Sequence, residues 1–398
     1  MAKPAGARCN LRCSYCYYLE KSRLYAADAA PHQMSDALLE LFTRQYIEAQ
    51  TQLEVVFTWH GGEPLLRPLS FYRRALELQR LYGRGRIISN VIQTNGTLLT
   101  PEWCRFLADE GWLVGLSIDG PQPLHDGCRL TPDGRPTHAS VMRAVGLLQQ
   151  YQVEWNAMAV VHAGNVSQPL AFYRFFRDIG CRYLQFAPVV ERLTSRPDGT
   201  RLAAVTDTGA ALSPQSVQPG AWGDFLIALF DEWVRHDVGQ LFVELFDCTL
   251  ANWCGVPPGI CIFAPRCGHA GVMEYNGDVY SCDHFVFPGH RLGNIRSLSL
   301  TEMLYGPQQE RFSRLKQGAL TRQCRECAFL FACNGECPKN RFATDRYGQP
   351  GHNYLCVGYH RYFAHVAPYM DFMRRELEHQ RPPANVMLVA DALAHSSL

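Results

Sequence analysis

Cys9, Cys13 and Cys16 fall within eight residues of one another, at spacings of four and three, and are followed by Tyr17 and Tyr18. Three neighbouring thiolates can hold three irons of a 4Fe-4S cluster and leave the fourth iron without a protein ligand. Most iron–sulfur proteins close the cluster with four cysteines. A vacant coordination position is where a metal site does chemistry, as in open catalytic zinc sites compared with closed structural ones. The alternative for the same triplet is a zinc knuckle. That needs a fourth ligand, and His32 is the local candidate.

Other residues whose types suggest chemistry are grouped downstream. His60-Gly61-Gly62-Glu63-Pro64 places paired glycines where a backbone can turn and a ligand can come close. An ordinary loop would use the same residues. Gln93 opens Gln-Thr-Asn-Gly and either faces a reaction centre or caps a loop. The last third holds eight cysteines: Cys261, Cys267, Cys282, Cys324, Cys327, Cys333, Cys337 and Cys356. Eight ligands make two complete four-ligand sites, and C-x2-C spacing fits zinc ribbons as well as iron–sulfur clusters. Asp283 directly follows Cys282, so ligation of that cysteine would fix where its carboxylate points. A surface aspartate is the plainer reading.

The elements that must position these groups alternate. Helical spacing runs from Ser35, a candidate N-cap, to about Gln50. A strand over 53–59 ends at the Gly-Gly turn. Helices are expected over 69–81, 101–109, 138–150 and 168–179. Strands are expected over 87–93, 113–119, 153–161 and 182–188, with a further strand-like run at 241–246. About six such units imply a parallel β/α architecture, in which function collects at the C-terminal ends of the strands. Gly61, Gln93, Ser117 and Val190 all fall there. Residues 191–220, with Thr194-Ser195-Arg196-Pro197-Asp198-Gly199, read as a polar crossing over the barrel mouth.

Apolar residues are 47% and charged residues 19% of the chain, ordinary values for a globular enzyme, and the net charge is +1. That balance points to no nucleic-acid partner. No apolar run approaches the roughly 18 residues needed to span a bilayer, so no membrane partner is expected. Residues 1–8 lack the apolar region of a signal peptide, and a cytoplasmic location is expected. Sixteen cysteines in a reducing compartment are metal ligands or catalytic groups before they are disulfides. Cys104, Cys128, Cys181, Cys248 and Cys254 lie outside the two groups and read as small buried side chains, with the roles of Cys248 and Cys254 open.

The C-x3-C-x2-C triplet resembles the signature of the radical S-adenosylmethionine (SAM) superfamily, in which SAM occupies the vacant iron. The whole chain resembles the anaerobic sulfatase-maturating enzymes. The resemblance is carried by Cys-Tyr-Tyr-Leu-Glu-Lys at 16–21, Gly-Gly-Glu-Pro at 61–64, Leu-Ser-Ile-Asp-Gly at 116–120, the Cys282-Asp283 pair and all eight late cysteines. It implies an α/β fold: a partial (β/α)6 radical SAM barrel over 1–250. A cysteine-rich SPASM domain with two auxiliary iron–sulfur clusters would follow over 251–370, then a C-terminal helix and tail over 371–398. It implies SAM and three 4Fe-4S clusters as cofactors. Cys9, Cys13 and Cys16 would hold the first. Cys261, Cys267, Cys282 and Cys337 would hold the second, and Cys324, Cys327, Cys333 and Cys356 the third. Tyr15, Gly61, Gly62, Glu63, Ser117, Arg129 and Val190 would line the SAM site, and Tyr18 and Gln93 the substrate site.

The implied activity is that of a radical SAM oxidoreductase. It converts a cysteine or serine of an unfolded or nascent sulfatase polypeptide to Cα-formylglycine through a 5′-deoxyadenosyl radical. Asp283 would be the general base, and the auxiliary clusters would take the second electron. An electron donor such as flavodoxin or ferredoxin would reduce the enzyme. His60 stands where some relatives have glutamine. The competing readings are another SPASM enzyme that crosslinks or epimerises a peptide, and a non-catalytic iron–sulfur or zinc scaffold.

Overall fold

The computed structural model describes residues 1–21, 32–194, 202–204 and 207–395. Residues 195–201 and 205–206 of the expected polar crossing at 191–220 therefore lie outside the described residues. Six strands form one parallel sheet in chain order: β1 Glu54–Trp59, β2 Ile87–Thr94, β3 Leu113–Ser117, β4 Trp155–Val161, β5 Tyr183–Pro188 and β6 Phe242–Val243. Each pairs in parallel with the next. Helices α1 Asp36–Ala49, α2 Leu69–Tyr82, α3 Pro101–Asp109, α4 His138–Gln150, α5 Pro169–Asp178 and α6 Pro219–His236 cover the sheet. Their starts follow local chemistry. The Ser35 hydroxyl accepts from the Leu38 N–H, and the Thr100 hydroxyl from the Trp103 N–H.

The run 241–246 departs from the expected strand. Only Phe242 and Val243 pair with β5, at Tyr183 and Leu184. The remainder opens helix α7, Glu244–Trp253. Its apolar residues Leu245 and Phe246 are buried in the core on helical, not alternating, spacing. A short apolar run does not separate strand from helix, and here tertiary packing decided.

Beyond α7, three short strands form an antiparallel sheet: β7 Val272–Met273, β8 Asp278–Tyr280 and β9 Arg291–Asn294. The start of the chain joins this sheet to the large one. Ala2 bridges Trp59 on one side and Met273 on the other. The Ala2 N–H donates to Thr58 at 2.8 Å, and the Lys3 N–H to Met273 at 2.9 Å. The strap covers the outer edge of β1, a row of backbone groups that would otherwise lack partners.

The long helix α9, Cys356–Glu378, carries the cysteine-rich part back onto α6. It continues through residue 370, where the sequence reading ends one domain. Gly223 and Gly358 allow the two helix backbones to touch. A Cβ on Gly358 would lie 2.1 Å from the Pro219 carbonyl oxygen, and one on Gly223 would lie 2.7 Å from Gly358 Cα. One hydrophobic core runs from α1 through the barrel to α9. Gly358→Ala is therefore expected to force the helices apart and cost about 1–3 kcal/mol. A lower melting temperature of the reconstituted protein would show it, with Gly318→Ala, in open space, as the control.

Candidate active site

The loop 4–16 crosses the C-terminal ends of the barrel strands. It is held against the turn after β1 by Gly62 N–H to Gly6 O and Glu63 N–H to Arg8 O, both 2.8 Å. A Cβ on Gly62 would stand 2.1 Å from the Arg8 carbonyl oxygen, so no other residue fits without moving the cysteine loop. With those two N–H groups engaged, the turn has carbonyl oxygens to offer an ammonium group. Glu63 is fully buried. Its carboxylate accepts from the Leu65 N–H, the Thr94 hydroxyl and the Asn95 N–H at 2.7–2.9 Å. Burial pushes its pKa up to about 7 although these donors favour the charge. Glu63 thus ties the β1 turn to the end of β2. Asn95 in turn points its amide at Cys9 Sγ, 3.8 Å away, and at Asn10. His60 accepts from the Gly61 N–H at 2.7 Å, and burial lowers its pKa to about 4.

Cys9, Cys13 and Cys16 are half-buried free thiols. Burial pushes Cys9 up to about 12, with the charges of Glu63, Cys13 and Cys16 adding to it. Burial likewise pushes Cys13 up to about 11. Thiolates at Cys9 and Cys13 are unfavourable without a cation beside them, which suits a cationic metal core.

Beside the triplet, a polar group forms around Asp119, which the sequence reading did not single out. Its Oδ2 accepts from Arg129 Nε at 2.9 Å and from the Tyr15 hydroxyl, and its Oδ1 accepts from the Val160 N–H. Burial opposes the charge, but Arg129 holds this carboxyl below its usual range. Arg129 also lies over the Tyr15 ring, and His162 stands 5.7 Å from that ring. Ser117 accepts from Gln93 Nε2 at 3.1 Å. Tyr15, Gln93, Ser117 and Arg129 thus share the C-terminal face of β2–β4. Val190 is buried in the core, and its carbonyl accepts from Lys339.

Asp283 reaches the same region from the second sheet. It opens a short turn at 283–285, after β8 and Cys282. Lys3, fully buried, pairs with its Oδ1, and the Tyr17 hydroxyl donates to Oδ2 at 2.8 Å. Lys21 Nζ donates to its backbone carbonyl at 2.8 Å. Burial works against the charge, yet the Lys3 and Lys21 ammoniums hold the carboxyl well below the usual range. The side chain remains 18% exposed. Tyr18 is buried instead, with Lys3 over its ring at 3.3 Å and its hydroxyl on Glu274. Tyr17, Lys3, Lys21 and Glu274 were missed because no spacing rule links residues 3, 17 and 21 to residues 274 and 283. The run Cys-Tyr-Tyr-Leu-Glu-Lys was the available signal.

The eight late thiols divide in space. Burial pushes Cys282 up to about 12, with the charges of Cys261 and Cys267 adding to it, and Cys337 is raised by burial and by Cys282. Burial also raises Cys356 to about 12, with Cys324 and Cys327 adding, while Cys333 feels Cys356 and Cys324. Among the described residues no three His, Cys, Asp or Glu groups converge on a single ion. Burial raises Cys261, Cys267, Cys282 and Cys337 in the first group and Cys333 and Cys356 in the second, which suits a multi-iron core whose charge would hold them as thiolates. Cys104, Cys128, Cys181 and Cys248 are buried, and Cys254 is half-buried.

Comparison with known proteins supplies a frame for this geometry. The model of the Radical SAM superfamily matches residues 4–176, and that of an iron-sulfur cluster-binding domain matches residues 263–328. A serine-type anaerobic sulfatase-maturating enzyme of Bacteroides thetaiotaomicron is 58% identical over 97% of this chain and 94% of its own. A cysteine-type enzyme of Clostridium perfringens is 29% identical over 92% of this chain and 96% of its own. The solved structure described as native anSMEcpe with bound AdoMet and Kp18Cys peptide superposes with a TM-score of 0.81. It is 28% identical and covers 94% of this chain and 98% of that one.

The buried Arg129–Asp119 pair yields a direct expectation. Asp119→Ala leaves an uncompensated guanidinium and is expected to cost roughly 3–5 kcal/mol. The reconstituted variant should melt at lower temperature and bind SAM more weakly in equilibrium dialysis.

Proposed function

We propose, on the premise that the chain belongs to the anaerobic sulfatase-maturating enzymes and is a radical SAM enzyme with a SPASM region, that it oxidises a target serine of a sulfatase to Cα-formylglycine. The serine assignment is supported by 58% identity to a serine-type enzyme against 29% to a cysteine-type one. The cofactors of the family are SAM and 4Fe-4S clusters. Cys9, Cys13 and Cys16 would hold one cluster. Cys261, Cys267, Cys282 and Cys337 would hold a second, and Cys324, Cys327, Cys333 and Cys356 a third. Once loaded, these groups supply a 5′-deoxyadenosyl radical that takes one hydrogen atom from Cβ, and a sink for one further electron.

The chain's own residues then have distinct tasks. Gly61 and Gly62 offer backbone oxygens to the SAM amine, while Ser117 and Arg129 donate to its carboxylate and ribose. Asp119 fixes the Arg129 fork, and Tyr15 lies where an adenine packs. Gln93 borders the substrate from β2, and Tyr18 supports it from beneath Lys3. Asp283 is held as the anion by Lys3, Lys21 and Tyr17, so it is ready to accept a proton. Two of its roughly four lone-pair sites are used by Lys3 and Tyr17, which leaves acceptor capacity for the target hydroxyl. A carboxylate this strongly stabilised is a weak base. It suffices because the O–H beside a carbon that has lost a hydrogen atom is far more acidic than an ordinary alcohol. Hydrogen atom, proton and electron together account for the two-electron oxidation. The substrate is an unfolded sulfatase segment and the electron donor a small flavin or iron–sulfur protein, both in the cytoplasm.

The observation that carries this reading is the contact of Asp283 with Lys3, across 280 residues of sequence, and with Tyr17, the residue after Cys16. In an anaerobic assay with SAM, reductant and a sulfatase peptide, aldehyde product should form faster from the serine peptide than from its cysteine counterpart. Asp283→Asn should keep SAM cleavage while losing roughly 100-fold or more in product; full product formation by that variant would remove the assigned role. Iron analysis should give about twelve irons per chain, four per cluster, and Cys282→Ala should lose about four.

A further inference from the structure

Two cations are buried between the late cysteine groups without a matching carboxylate. Lys316, on helix α8 (Pro307–Gly318), is fully buried, and its ammonium donates only to the carbonyls of Cys261 and Ile262. Arg341, 8% exposed, donates to the carbonyls of Gly335, Lys316, Asn334 and Glu336. Neither makes an ion pair among the described residues. The nearby Glu336 carboxylate is instead taken by the amides of Asn340 and Asn353. A buried charge with no counter-charge is strongly unfavourable.

Apart from Glu336, whose field reaches both cations, the negative charge that could balance them is on sulfur. Lys316 lies in the field of Cys267, Cys261 and Cys337, and Arg341 in that of Cys324, Cys333 and Cys337. Lys316 therefore belongs to the first thiol set, and Arg341 chiefly to the second while also touching the first. Carbonyls alone orient these cations, so the positive charges are fixed in place and do not swing towards a carboxylate.

We propose that Lys316 and Arg341 set the reduction potentials of the two auxiliary clusters, raising each so that it accepts an electron more readily. The inference rests on the reading of the eight late cysteines as ligands of two 4Fe-4S clusters. A cluster bound by four thiolates carries net negative charge, and a gained electron makes it more negative. A fixed cation beside it stabilises the reduced form more than the oxidised form. Net charge and surrounding charge are established determinants of such potentials. The two residues are positioning groups that act through the clusters.

The test is a redox titration of the anaerobically reconstituted full chain, followed by electron paramagnetic resonance and paired with iron analysis. Lys316→Met should lower the reduced-to-oxidised ratio of one auxiliary cluster about tenfold at a fixed poise, which for a one-electron couple is about 59 mV. Lys316→Arg, which keeps the charge, should leave that ratio near wild type. Arg341→Gln should shift chiefly the other auxiliary cluster. If it fails to fold, the Lys316 pair still decides. Full iron content with unmoved potentials in Lys316→Met would overturn the proposal, as would equal shifts in the Met and Arg variants. Wild-type protein holding only about four irons would instead overturn the two-cluster reading itself, and the tuning role with it.

Discussion

The strap formed by residues 1–3 is the constraint on which the rest of the site depends. Its backbone pairs with Trp59 of the barrel and Met273 of the small sheet at once, so the two sheets are fixed to each other through Ala2. Lys3 then projects from this seam, fully buried, onto Asp283 and over the Tyr18 ring. Without that seam the Gly-Gly turn would still carry the cysteine loop, but Asp283 would have no fixed distance from it. Backbone hydrogen bonds set the placement, and the ion pair sets the charge.

Electrostatics divides the interior into three compartments with different solutions to the same difficulty. At Asp119 a buried carboxylate and guanidinium neutralise each other. At Asp283 one carboxylate meets two ammoniums, Lys3 and Lys21, with the Glu274 carboxylate close behind on the Tyr18 hydroxyl. Around Lys316 and Arg341 the cations sit against carbonyl dipoles, with thiols and the Glu336 carboxylate within their field.

Much of the barrel was legible in the sequence because its helices and strands obey local rules. Ser35 and Thr100 cap where hydroxyls should, and α2, α3 and α4 begin and end within a residue of the apolar periodicity. The thiol triplet and the Gly-Gly turn were legible for the same reason. What could not be read locally was long-range. The run at 241–246 turned into the start of a helix once Leu245 and Phe246 found the core. Asp119 read as the end of a strand, although it anchors Tyr15 and Arg129. Lys3 and Lys21 carry no local signal of the burial against Asp283 that the fold gives them. The division of the late cysteines into two sets came from family resemblance, since spacing alone favours neighbours in sequence.

That division has a kinetic side. On the proposed ligand sets the thiols interleave along the chain, because Cys337 would join partners at 261–282 while Cys324, Cys327 and Cys333 would await Cys356. During synthesis neither set can be complete until the chain has passed residue 337, and the second must wait for α9 to begin. The strap likewise finds Met273 only after some 270 residues have followed it. Such non-local closure is slow compared with helix formation. On that reading the barrel elements are made well before the last ligand, and the late thiols stay open to stray metals and oxygen until Cys356 has been added.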